Sequence, residues 1–501
     1  MNLMMLLEMA AEGMGDRVAV VSGDARMTYA ELFEAAGRAG SRLRASGADH
    51  LAILDISSPA LPVGVFAAAW AGKPFVPLNY RLTGAELEKL VSQITPSQLI
   101  TDPERVDSLV DLSGIEPIGR GAFLGHACDE ASDCLEREWS MDPDEIAILL
   151  FTSGTTGPPK AAVIRHKHLV SYILTSVEFM SADENDAALV CVPPYHIAGM
   201  AAIASSVYSG RRIVQLPNFS PEEWLELARK EQVTNAFVVP TMLARIVEVL
   251  EGAGSADLPH LRALSYGGGK MPQSVIERAL ELLPDTNFAN AYGLTETSST
   301  ISILGPDDHR AAISSDDPKV RRRLVSVGQP LPAIEVEIRD EEGQALGPNE
   351  RGEIYVRGEQ VSGEYLGKGS QVLDDGFFPT RDGGSLDDDG YLFIEGRIDD
   401  IIVRGGENIS PGEIEDVLLE HEALADAAVV GLPDEQWGEK VVAAVVCKAD
   451  ATATEAELQQ WVKDRLRSSR TPESFAFWPE LPYNETGKLV RRTVRSRLMA
   501  G

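Results

Sequence analysis

The stretch FTSGTTGPPK, which runs from Phe151 to Lys160, combines glycines, small hydroxyl side chains and one lysine directly after an apolar run. Glycines let backbone N–H groups converge on an anion, the hydroxyls add further donors, and the lysine adds positive charge. We therefore predict a phosphate-binding loop. The spacing is not that of a Walker loop, because Gly154, Gly157 and Lys160 lie at intervals of three residues. In addition, Ala161 follows the lysine, where a Walker loop has serine or threonine.

A second stretch, NAYGLTE from Asn290 to Glu296, brings an aromatic ring and a carboxylate close together in the sequence. An aromatic face suits a purine, and a hard carboxylate oxygen suits magnesium. Taken alone, the glutamate could equally cap a helix.

Together the two stretches resemble motifs of the adenylate-forming superfamily, which includes acyl-CoA synthetases, firefly luciferases and nonribosomal adenylation domains. The resemblance implies that the first stretch holds the β- and γ-phosphates of ATP. The residues concerned are Thr152, Ser153, Gly154, Thr155, Thr156, Gly157 and Lys160. In the second stretch it implies that Tyr292 stacks on adenine and that the adenine edge meets the backbone of Asn290, Ala291, Tyr292 and Gly293. It also implies that Thr295 reaches the α-phosphate and that Glu296 helps to hold Mg²⁺. The family usually has glycine where this chain has Ala161.

The stretch GFFPTRDGGSLDDDGYLFIEGR resembles the ribose-binding segment of the same family. The resemblance implies that Asp382 takes the ribose hydroxyls with its two carboxylate oxygens, and that Arg397 contacts ribose or phosphate. The family usually has Thr-Gly-Asp here, and Arg381 replaces that glycine. An arginine at this position could pair with Asp382 or reach a phosphate.

The last two motifs, GRIDDIIVRGGENISPGEIE and LPYNETGKLVRR, resemble the family's hinge and its C-terminal lysine loop. The resemblance makes Asp399 the hinge and places Gly405 and Gly406 along a narrow passage for the pantetheine arm of CoA. Lys488 would be the catalytic lysine, a cation that offsets repulsion between the acid carboxylate and the α-phosphate. Without the family, RGGEN is a turn before a helix and Lys488 is an exposed lysine in a basic tail.

Selection of the acid is predicted from two further stretches. VPPYHIAGM resembles the loop in which His196 borders the acyl pocket, although a histidine can also be satisfied inside a core. SYGGGKMP contributes Gly267, Gly268 and Gly269, whose missing side chains would leave room for a ring or chain beside adenine. We expect an apolar acid, either aromatic or fatty.

For the acceptor CoA, GLPDEQWGEKV is similar to CoA-ligase C-terminal domains, and Trp437 could stack on the CoA adenine or lie in a core. RSSRTPESF lacks an aromatic residue that many relatives carry there, so Arg470 is the evident phosphate contact.

The elements that position these residues follow an α/β rhythm. Short apolar runs end in glycine, proline or polar residues and alternate with helical patterns, which places loops at strand ends where open α/β sheets bind ligands. We expect strands at LAILDIS, KPFVPLN, SQLITD, DEIAILLF, GRRIVQLP, NAFVVP and LRALSYGGG. Capping boxes are predicted at Thr83 with Glu86 and at Thr454 with Glu457.

We predict two domains, a large N-terminal α/β domain of residues 1–398 and a mobile α+β domain of residues 399–501. The first contains a β-rich subdomain at about residues 320–398. The β-rich subdomain is indicated by the alternating strands IEVEIRD and RGEIYVRG. This is the fold class that the family resemblance implies.

The amino-acid composition excludes some classes of binding partner and some cellular locations. The 501 residues carry 45 Lys and Arg against 77 Asp and Glu, a net charge of −32, which disfavours nucleic acids and anionic lipid. No apolar run is long enough for a transmembrane segment. The four scattered cysteines suit a reducing compartment, and we expect a cytoplasmic protein. The sequence does not fix the oligomeric state, and a homodimer is one option.

The implied reaction joins a carboxylic acid to CoA with ATP and Mg²⁺. Acyl-AMP and pyrophosphate form first, and the CoA thiol then displaces AMP after the small domain rotates about Asp399. An amine or a carrier-protein thiol is the alternative acceptor. A nucleotide-binding regulator without turnover is a further alternative, against which Lys488, Glu296 and Asp382 argue, and nothing specific supports an oxygenase of the luciferase type.

Overall fold

The structure is a computed structural model that describes residues 1–132, 137–152, 160–253, 256–405, 407–434, 436–449, 451–484 and 488–500. Its strands are β1 (Val18–Ser22), β2 (Ala25–Thr28), β3 (His50–Leu54), β4 (Phe75–Pro77), β5 (Ser97–Thr101), β6 (Ile115–Gly119), β7 (Ile146–Thr152), β8 (Lys160–Arg165), β9 (Ala187–Val190), β10 (Arg212–Gln215), β11 (Asn235–Val238), β12 (Ala263–Gly267), β13 (Asn287–Leu294), β14 (Ser299–Leu304), β15 (Gln329–Pro330), β16 (Glu335–Arg339), β17 (Gly352–Arg357), β18 (Glu364–Tyr365), β19 (Gly369–Ser370), β20 (Phe378–Leu386), β21 (Leu392–Arg397), β22 (Ile402–Arg404), β23 (Glu407–Ile409), β24 (Leu424–Asp434), β25 (Gly438–Cys447) and β26 (Ser474–Phe477).

The helices are α1 (Leu3–Met14), α2 (Tyr29–Ser46), α3 (Ala60–Ala71), α4 (Gly84–Val91), α5 (Val106–Leu109), α6 (Arg120–Cys128), α7 (His166–Ser176), α8 (Ile197–Ser209), α9 (Pro221–Lys230), α10 (Pro240–Ala253), α11 (Gln273–Leu282), α12 (Pro306–Ser314), α13 (Pro318–Arg321), α14 (Pro411–Leu419), α15 (Glu455–Lys463) and α16 (Arg491–Ala500). Among the described residues, no helix combines the length and the apolar character needed to cross a bilayer.

Four sheets organise these elements. A nine-stranded sheet has the order β15-β14-β13-β12-β11-β9-β10-β1-β2, and an eight-stranded sheet has the order β19-β18-β8-β7-β4-β3-β5-β6. A four-stranded antiparallel sheet, β16-β17-β20-β21, follows. The last sheet has the order β23-β22-β25-β24, with β26 pairing β25 in parallel. The mixed α/β architecture, with a large N-terminal part and a small C-terminal part, confirms the predicted fold class.

The main core lies between the two large sheets. Helix α3 is buried along its whole length, as its sequence ALPVGVFAAAWA requires for a helix that is apolar all round. The same core includes Phe75 and Ile148 from one large sheet and Val20 and Ile213 from the other. Burial of these side chains fixes the two sheets relative to each other, and hence the loops at their edges.

Most of the local predictions are confirmed, and one is wrong. The seven apolar runs form the predicted strands, and Thr454 makes the predicted capping box with Glu457. The Thr83 side chain makes no capping hydrogen bond. Its neighbour Gly84 has φ +54°, far from a helical value, so the backbone at this N-terminus does not present its N–H groups to Thr83 in the usual way.

Candidate active site

The predicted ribose and adenine residues meet in one buried cluster. Asp382 on β20 and Arg397 on β21 are directly paired in the register of the two strands. Nε of Arg397 lies 3.1 Å from Oδ1 of Asp382, and the hydroxyl of Tyr292 donates to Oδ2 over 2.6 Å. Each carboxylate oxygen of Asp382 therefore has its own polar partner.

Burial raises the pKa of Asp382, and Arg397 and the Tyr292 hydrogen bond oppose that shift. Arg397 is further fixed because it donates to the carbonyl of Thr380 over 2.9 Å. A buried carboxylate that is already oriented by two donors is suited to a ligand with neighbouring hydroxyl groups.

A second carboxylate, that of Glu296, is buried beside this cluster. Glu296 follows β13 in a 3₁₀ turn, Thr295–Thr297, and its backbone carbonyl accepts from the N–H groups of Ser362 and Gly363. Its Oε1 accepts from the hydroxyl of Tyr365 over 2.5 Å. The half-buried Thr295 is the first residue of the same turn.

The two ends of the predicted phosphate loop lie on a hairpin next to Glu296. Thr152 on β7 and Lys160 on β8 are paired in register, so the loop connects their facing ends. Nζ of Lys160 lies 5.4 Å from the centre of the Tyr365 ring, over its face. The other predicted loop residues lie outside the described residues: Ser153, Gly154, Thr155, Thr156 and Gly157.

Lys488, from the last part of the chain, reaches the same site. The residue as a whole is exposed to solvent, but protein groups surround its ammonium end. Desolvation of the ammonium lowers its pKa, as does nearby Arg397, while Asp382 and Glu296 act in the opposite sense. These three groups are within electrostatic range of Lys488, which brings the predicted catalytic lysine to both carboxylates.

The residues present fit a magnesium nucleotide. Lys160, Arg397 and Lys488 supply positive charge in a chain whose net charge is −32, and Glu296 supplies a hard oxygen of the kind that Mg²⁺ prefers. Two buried carboxylates would repel each other without such cations, so the site combines groups that a polyanion and its metal can satisfy.

Two of the predicted adenine residues have structural reasons for their identity. The Asn290 side chain donates to the carbonyl of Ser326 over 2.9 Å, so the amide ties β13 to the segment after α13. At Gly293, an added Cβ would lie 1.8 Å from the carbonyl oxygen of Ser299, so only glycine lets β14 turn back so closely.

The predicted acyl residue His196 precedes α8 and lies in an aromatic group. Its ring centre is 4.9 Å from that of Tyr195, which packs edge-on against Tyr80 at 5.9 Å. Its buried Nε2 has no hydrogen-bond partner in the described part of the chain. Burial, and to a lesser degree Lys488, lowers its pKa to about 4, so the imidazole is neutral at pH 7.

The three glycines of SYGGGKMP do not share one role, which corrects the prediction for Gly267. An added Cβ at Gly267 would lie 2.1 Å from the carbonyl oxygen of Ala291, so the missing side chain admits strand β13 instead of a substrate. Added Cβ atoms at Gly268 and Gly269 would meet their nearest neighbours at 3.8 and 3.7 Å, which is ordinary van der Waals contact, so no such clash explains these two glycines.

Two of the predicted CoA residues lie at strand ends of the C-terminal sheet, since Gly405 directly follows β22 and Trp437 directly precedes β25. The N–H of Gly405 donates to the carbonyl of Trp437 over 2.7 Å, and an added Cβ there would come within 2.9 Å of the Trp437 ring. Trp437 is 45% exposed, which disagrees with a core role and leaves a face available for stacking. Gly406 lies outside the described residues.

Arg470 is placed differently from the prediction. Its Nη1 lies 2.7 Å from Glu407 and its Nε 2.8 Å from Glu413, and the side chain is nearly buried. In this conformation its charge is balanced by protein carboxylates, which takes the place of the phosphate contact that we expected.

Arg381 and Asp399 border the site. The Arg381 side chain is 64% exposed and lies 4.0 Å from Glu353, while Asp382 pairs with Arg397. Of the two alternatives, pairing with Asp382 is therefore not observed, and a contact with phosphate stays a prediction. Asp399 lies in the 3₁₀ turn Ile398–Asp400 that separates β21 from the C-terminal sheet, where the hinge was predicted.

Sequence reasoning missed two features that shape the site. Tyr365 links Glu296 to Lys160, but its neighbours lie far away in the sequence. Lys270 crosses to the C-terminal part, where its ammonium lies 2.5 Å from Asp416 and 3.3 Å from the carbonyl of Gly412. No local signal marks either residue, although Lys270 directly follows the three glycines.

Comparisons with known proteins cover nearly the whole chain. Residues 7–366 match the model of the AMP-binding enzyme family, and residues 413–488 match its C-terminal domain. The 2-succinylbenzoate–CoA ligase of Bacillus licheniformis is 33% identical, over 97% of this chain and 98% of that protein. The fatty acid–[acyl-carrier-protein] ligase of Streptomyces coeruleorubidus is 33% identical over 96% and 93% of the two chains, and a feruloyl-CoA synthase of an Amycolatopsis species is 32% identical over 96% and 95%.

Two solved structures are similar over nearly the whole chain. The o-succinylbenzoate-CoA synthetase of Bacillus subtilis, in complex with its acyl-adenylate intermediate, is 30% identical with a TM-score of 0.85, over 98% of this chain and 97% of that one. An amide bond synthetase of Marinactinospora thermotolerans is 27% identical with a TM-score of 0.87, over 99% of each chain. The chain belongs to the AMP-binding enzyme family, the adenylate-forming superfamily that its motifs resemble.

Proposed function

We propose that the protein is an ATP-dependent acid–CoA ligase. A carboxylate attacks the α-phosphate of ATP to give acyl-AMP and pyrophosphate, and the CoA thiol then displaces AMP to give acyl-CoA, with loss of the thiol proton. The observation that carries the proposal is the convergence of Lys488 with the buried Asp382 and Glu296. The named CoA ligases among the relatives support CoA as the acceptor.

For adenylation, we propose that Asp382 binds the ribose hydroxyls, that the face of Tyr292 contacts adenine, and that Lys160 with the loop hydroxyls binds the β- and γ-phosphates. Bound Mg²⁺, held by Glu296, would neutralise phosphate charge. Lys488 reduces the repulsion between two anions that must come into contact, because its ammonium can lie between them. The neighbouring carboxylates keep that ammonium attracted to the site although desolvation lowers its pKa.

For the second step, we propose that residues 399–501 rotate as a domain about Asp399, so that Lys488 leaves and Gly405 with Gly406 reaches the acyl-AMP. The β-rich sheet β16-β17-β20-β21 would stay with residues 1–398 and carry Asp382. The proposal is supported by the contact between Gly405 and Trp437 beside the C-terminal sheet, which exists while the Lys488 ammonium lies within electrostatic range of Asp382 and Glu296.

We propose an apolar acid, and the site favours an aromatic one. His196, neutral at pH 7, lies with Tyr195 and Tyr80 in a group of rings that suits a planar substrate, and relatives act on succinylbenzoate and ferulate by name. We also place the protein in the cytoplasm, on the strength of its few scattered cysteines.

A second candidate keeps adenylation and replaces CoA by an amine or a carrier-protein thiol. It is favoured by the similarity to an amide bond synthetase and to a ligase for an acyl carrier protein. Arg470, already paired with Glu407 and Glu413, offers CoA no free phosphate contact in this conformation, which is the structural observation on the side of this alternative.

Pyrophosphate release tests these proposals. The purified protein is incubated with ATP, Mg²⁺ and a panel of aromatic, short and long-chain acids, each with and without CoA. A CoA ligase for aromatic acids gives release that depends on the aromatic acid and accelerates with CoA. Release that depends on the acid but not on CoA, with turnover when an amine is added, would select the second candidate. No release with any acid would refute adenylation.

A further inference from the structure

Tyr365 touches two groups of the nucleotide site at once. Its hydroxyl donates to Oε1 of Glu296 over 2.5 Å, and its ring lies under the ammonium of Lys160, 5.4 Å from Nζ to the ring centre. We propose that Tyr365 is a positioning residue that sets the magnesium carboxylate and the phosphate lysine in fixed relation to each other. The inference rests on the proposed function, because it assigns a role within the binding of magnesium ATP.

The backbone around Tyr365 is held on both sides. Strand β18 pairs with β8, with Tyr365 opposite Ala162, and the N–H of Leu366 donates to the carbonyl of Ala161 over 2.9 Å. The preceding Glu364 makes a two-point ion pair with Arg165, at 2.9 and 2.7 Å. These contacts fix the phenol relative to β8, the strand that begins with Lys160.

The segment is also attached directly to Glu296. Ser362 donates to the Glu296 carbonyl through both its N–H, over 2.8 Å, and its hydroxyl, over 3.0 Å. Gly363 donates to the same carbonyl over 3.1 Å. Tyr365 then closes the arrangement with its hydrogen bond to the side chain, so one short segment holds both the backbone and the carboxylate of Glu296.

This arrangement determines what each group can do. Because the hydroxyl occupies Oε1, the carboxylate is held in one rotamer and its other oxygen is left for a metal ion. The ring face attracts the Lys160 ammonium, which limits where the lysine can reach.

The positioning by Tyr365 affects only the binding of the metal ion and of the β- and γ-phosphates. AMP has neither the β- nor the γ-phosphate, and its ribose partner Asp382 does not contact Tyr365 in the described interactions. Loss of the Tyr365 hydroxyl should therefore weaken the binding of magnesium ATP and leave AMP binding unchanged. A residue that only stabilised the fold would affect both ligands.

The test is Tyr365→Phe, measured by titration calorimetry without acid substrate. The ligands are ATP with Mg²⁺, ATP with EDTA, and AMP. The matched control is Tyr391→Phe, because the Tyr391 hydroxyl makes the same kind of bond, to Asp308 over 2.6 Å, outside the nucleotide site. We expect Tyr365→Phe to weaken the binding of magnesium ATP by about tenfold or more, the ratio for losing one hydrogen bond to a charged group. Binding of ATP in EDTA and of AMP should stay within about twofold, as should all three ligands for the control.

A second variant tests the lysine contact. Tyr365→Leu removes the ring as well as the hydroxyl, and we expect it also to weaken ATP in EDTA, because the Lys160 ammonium loses its support. The Mg²⁺ concentration for half-maximal pyrophosphate release should rise for both variants, with an unchanged KM for the acid.

Three results would overturn the inference. One is wild-type affinity of Tyr365→Phe for magnesium ATP. Another is an equal loss for AMP, which would indicate a general structural role. The third is an equal effect of Tyr391→Phe. If the unaltered protein binds ATP and releases pyrophosphate but the variant behaves like it, only this inference fails. If the unaltered protein binds no ATP, the proposed function fails with it.

Discussion

The backbone at Arg381 has φ +62°, in the left-handed region that residues other than glycine adopt only at an energetic cost. The residue lies where the register of β17 and β20 shifts, between the pairs Glu353 with Gly383 and Tyr355 with Pro379. Such a bulge often takes glycine for this reason. We therefore predict that Arg381→Gly stabilises the protein.

The magnitude follows from three contributions. Relief of the left-handed conformation is worth about 1–2 kcal/mol, and the greater freedom of glycine in the unfolded chain costs about 0.5–1 kcal/mol. The ion pair of Arg381 with Glu353, at 4.0 Å and with the arginine 64% exposed, contributes at most about 0.5 kcal/mol. The net gain in the free energy of unfolding is about 0.5 kcal/mol.

Arg381→Ala is the matched control, because it removes the same ion pair but keeps the left-handed strain. The glycine variant should exceed the alanine variant by about 1 kcal/mol, measured as the difference between their urea unfolding curves. Equal stabilities, or a more stable alanine variant, would refute the reasoning. The KM for ATP should stay within about twofold in both, because Asp382 is paired with Arg397; a large rise in KM would show that Arg381 contacts phosphate after all.

Three further predictions concern other parts of the molecule. Gly267→Ala should destabilise the protein by about 1–3 kcal/mol, because its Cβ would lie 2.1 Å from the Ala291 carbonyl oxygen. A stable variant with an altered preference among acids would instead indicate that Gly267 lines the acid pocket. Burial lowers the pKa of His166 to about 4, below its unfolded value near 6.5, so stability is fully present above pH 6.5 and falls by up to about 3 kcal/mol as pH drops toward 4. Denaturant midpoints across this range should fall less for His166→Asn, and an identical pH profile would contradict the assignment. Asp416→Ala removes the partner of Lys270, an exposed ion pair worth about 0.2–1 kcal/mol. Adenylation should therefore slow by up to about fivefold, while the rate of thiolation of supplied acyl-AMP is unchanged. Equal slowing of both steps would argue against a contact that is specific to this conformation.

Much of the fold could be predicted because seven strands of the two large sheets are short apolar runs with clear ends. Parallel strands bring their carboxyl ends to one edge of a sheet, which predicts ligand-binding loops there. Strand β13, which contains most of NAYGLTE, was not among the predicted strands. The resemblance assigned Asp382, Glu296 and Lys488 to one site, and the structure brings their charges within electrostatic range of each other, while their roles stay a prediction.

The remaining features depend on contacts that a linear sequence does not show. The role of Gly267 follows from how closely β13 approaches β12, which only the register reveals. The ion pairs of Arg470 with Glu407 and Glu413 could not be foreseen, because both glutamates lie more than fifty residues away in the sequence. Tyr365 was missed for the same reason, since its link to Glu296 spans 69 residues.

The most direct test of the account is to measure the two half-reactions separately in Lys488→Ala. We predict that acid-dependent pyrophosphate release falls by about 10²-fold or more, because the cation between the two reacting anions is gone. Conversion of supplied acyl-AMP and CoA to acyl-CoA should remain close to that of the unaltered protein, because Lys488 takes no part in that step. Equal loss of both half-reactions, or unchanged pyrophosphate release, would contradict the role that the site assigns to Lys488.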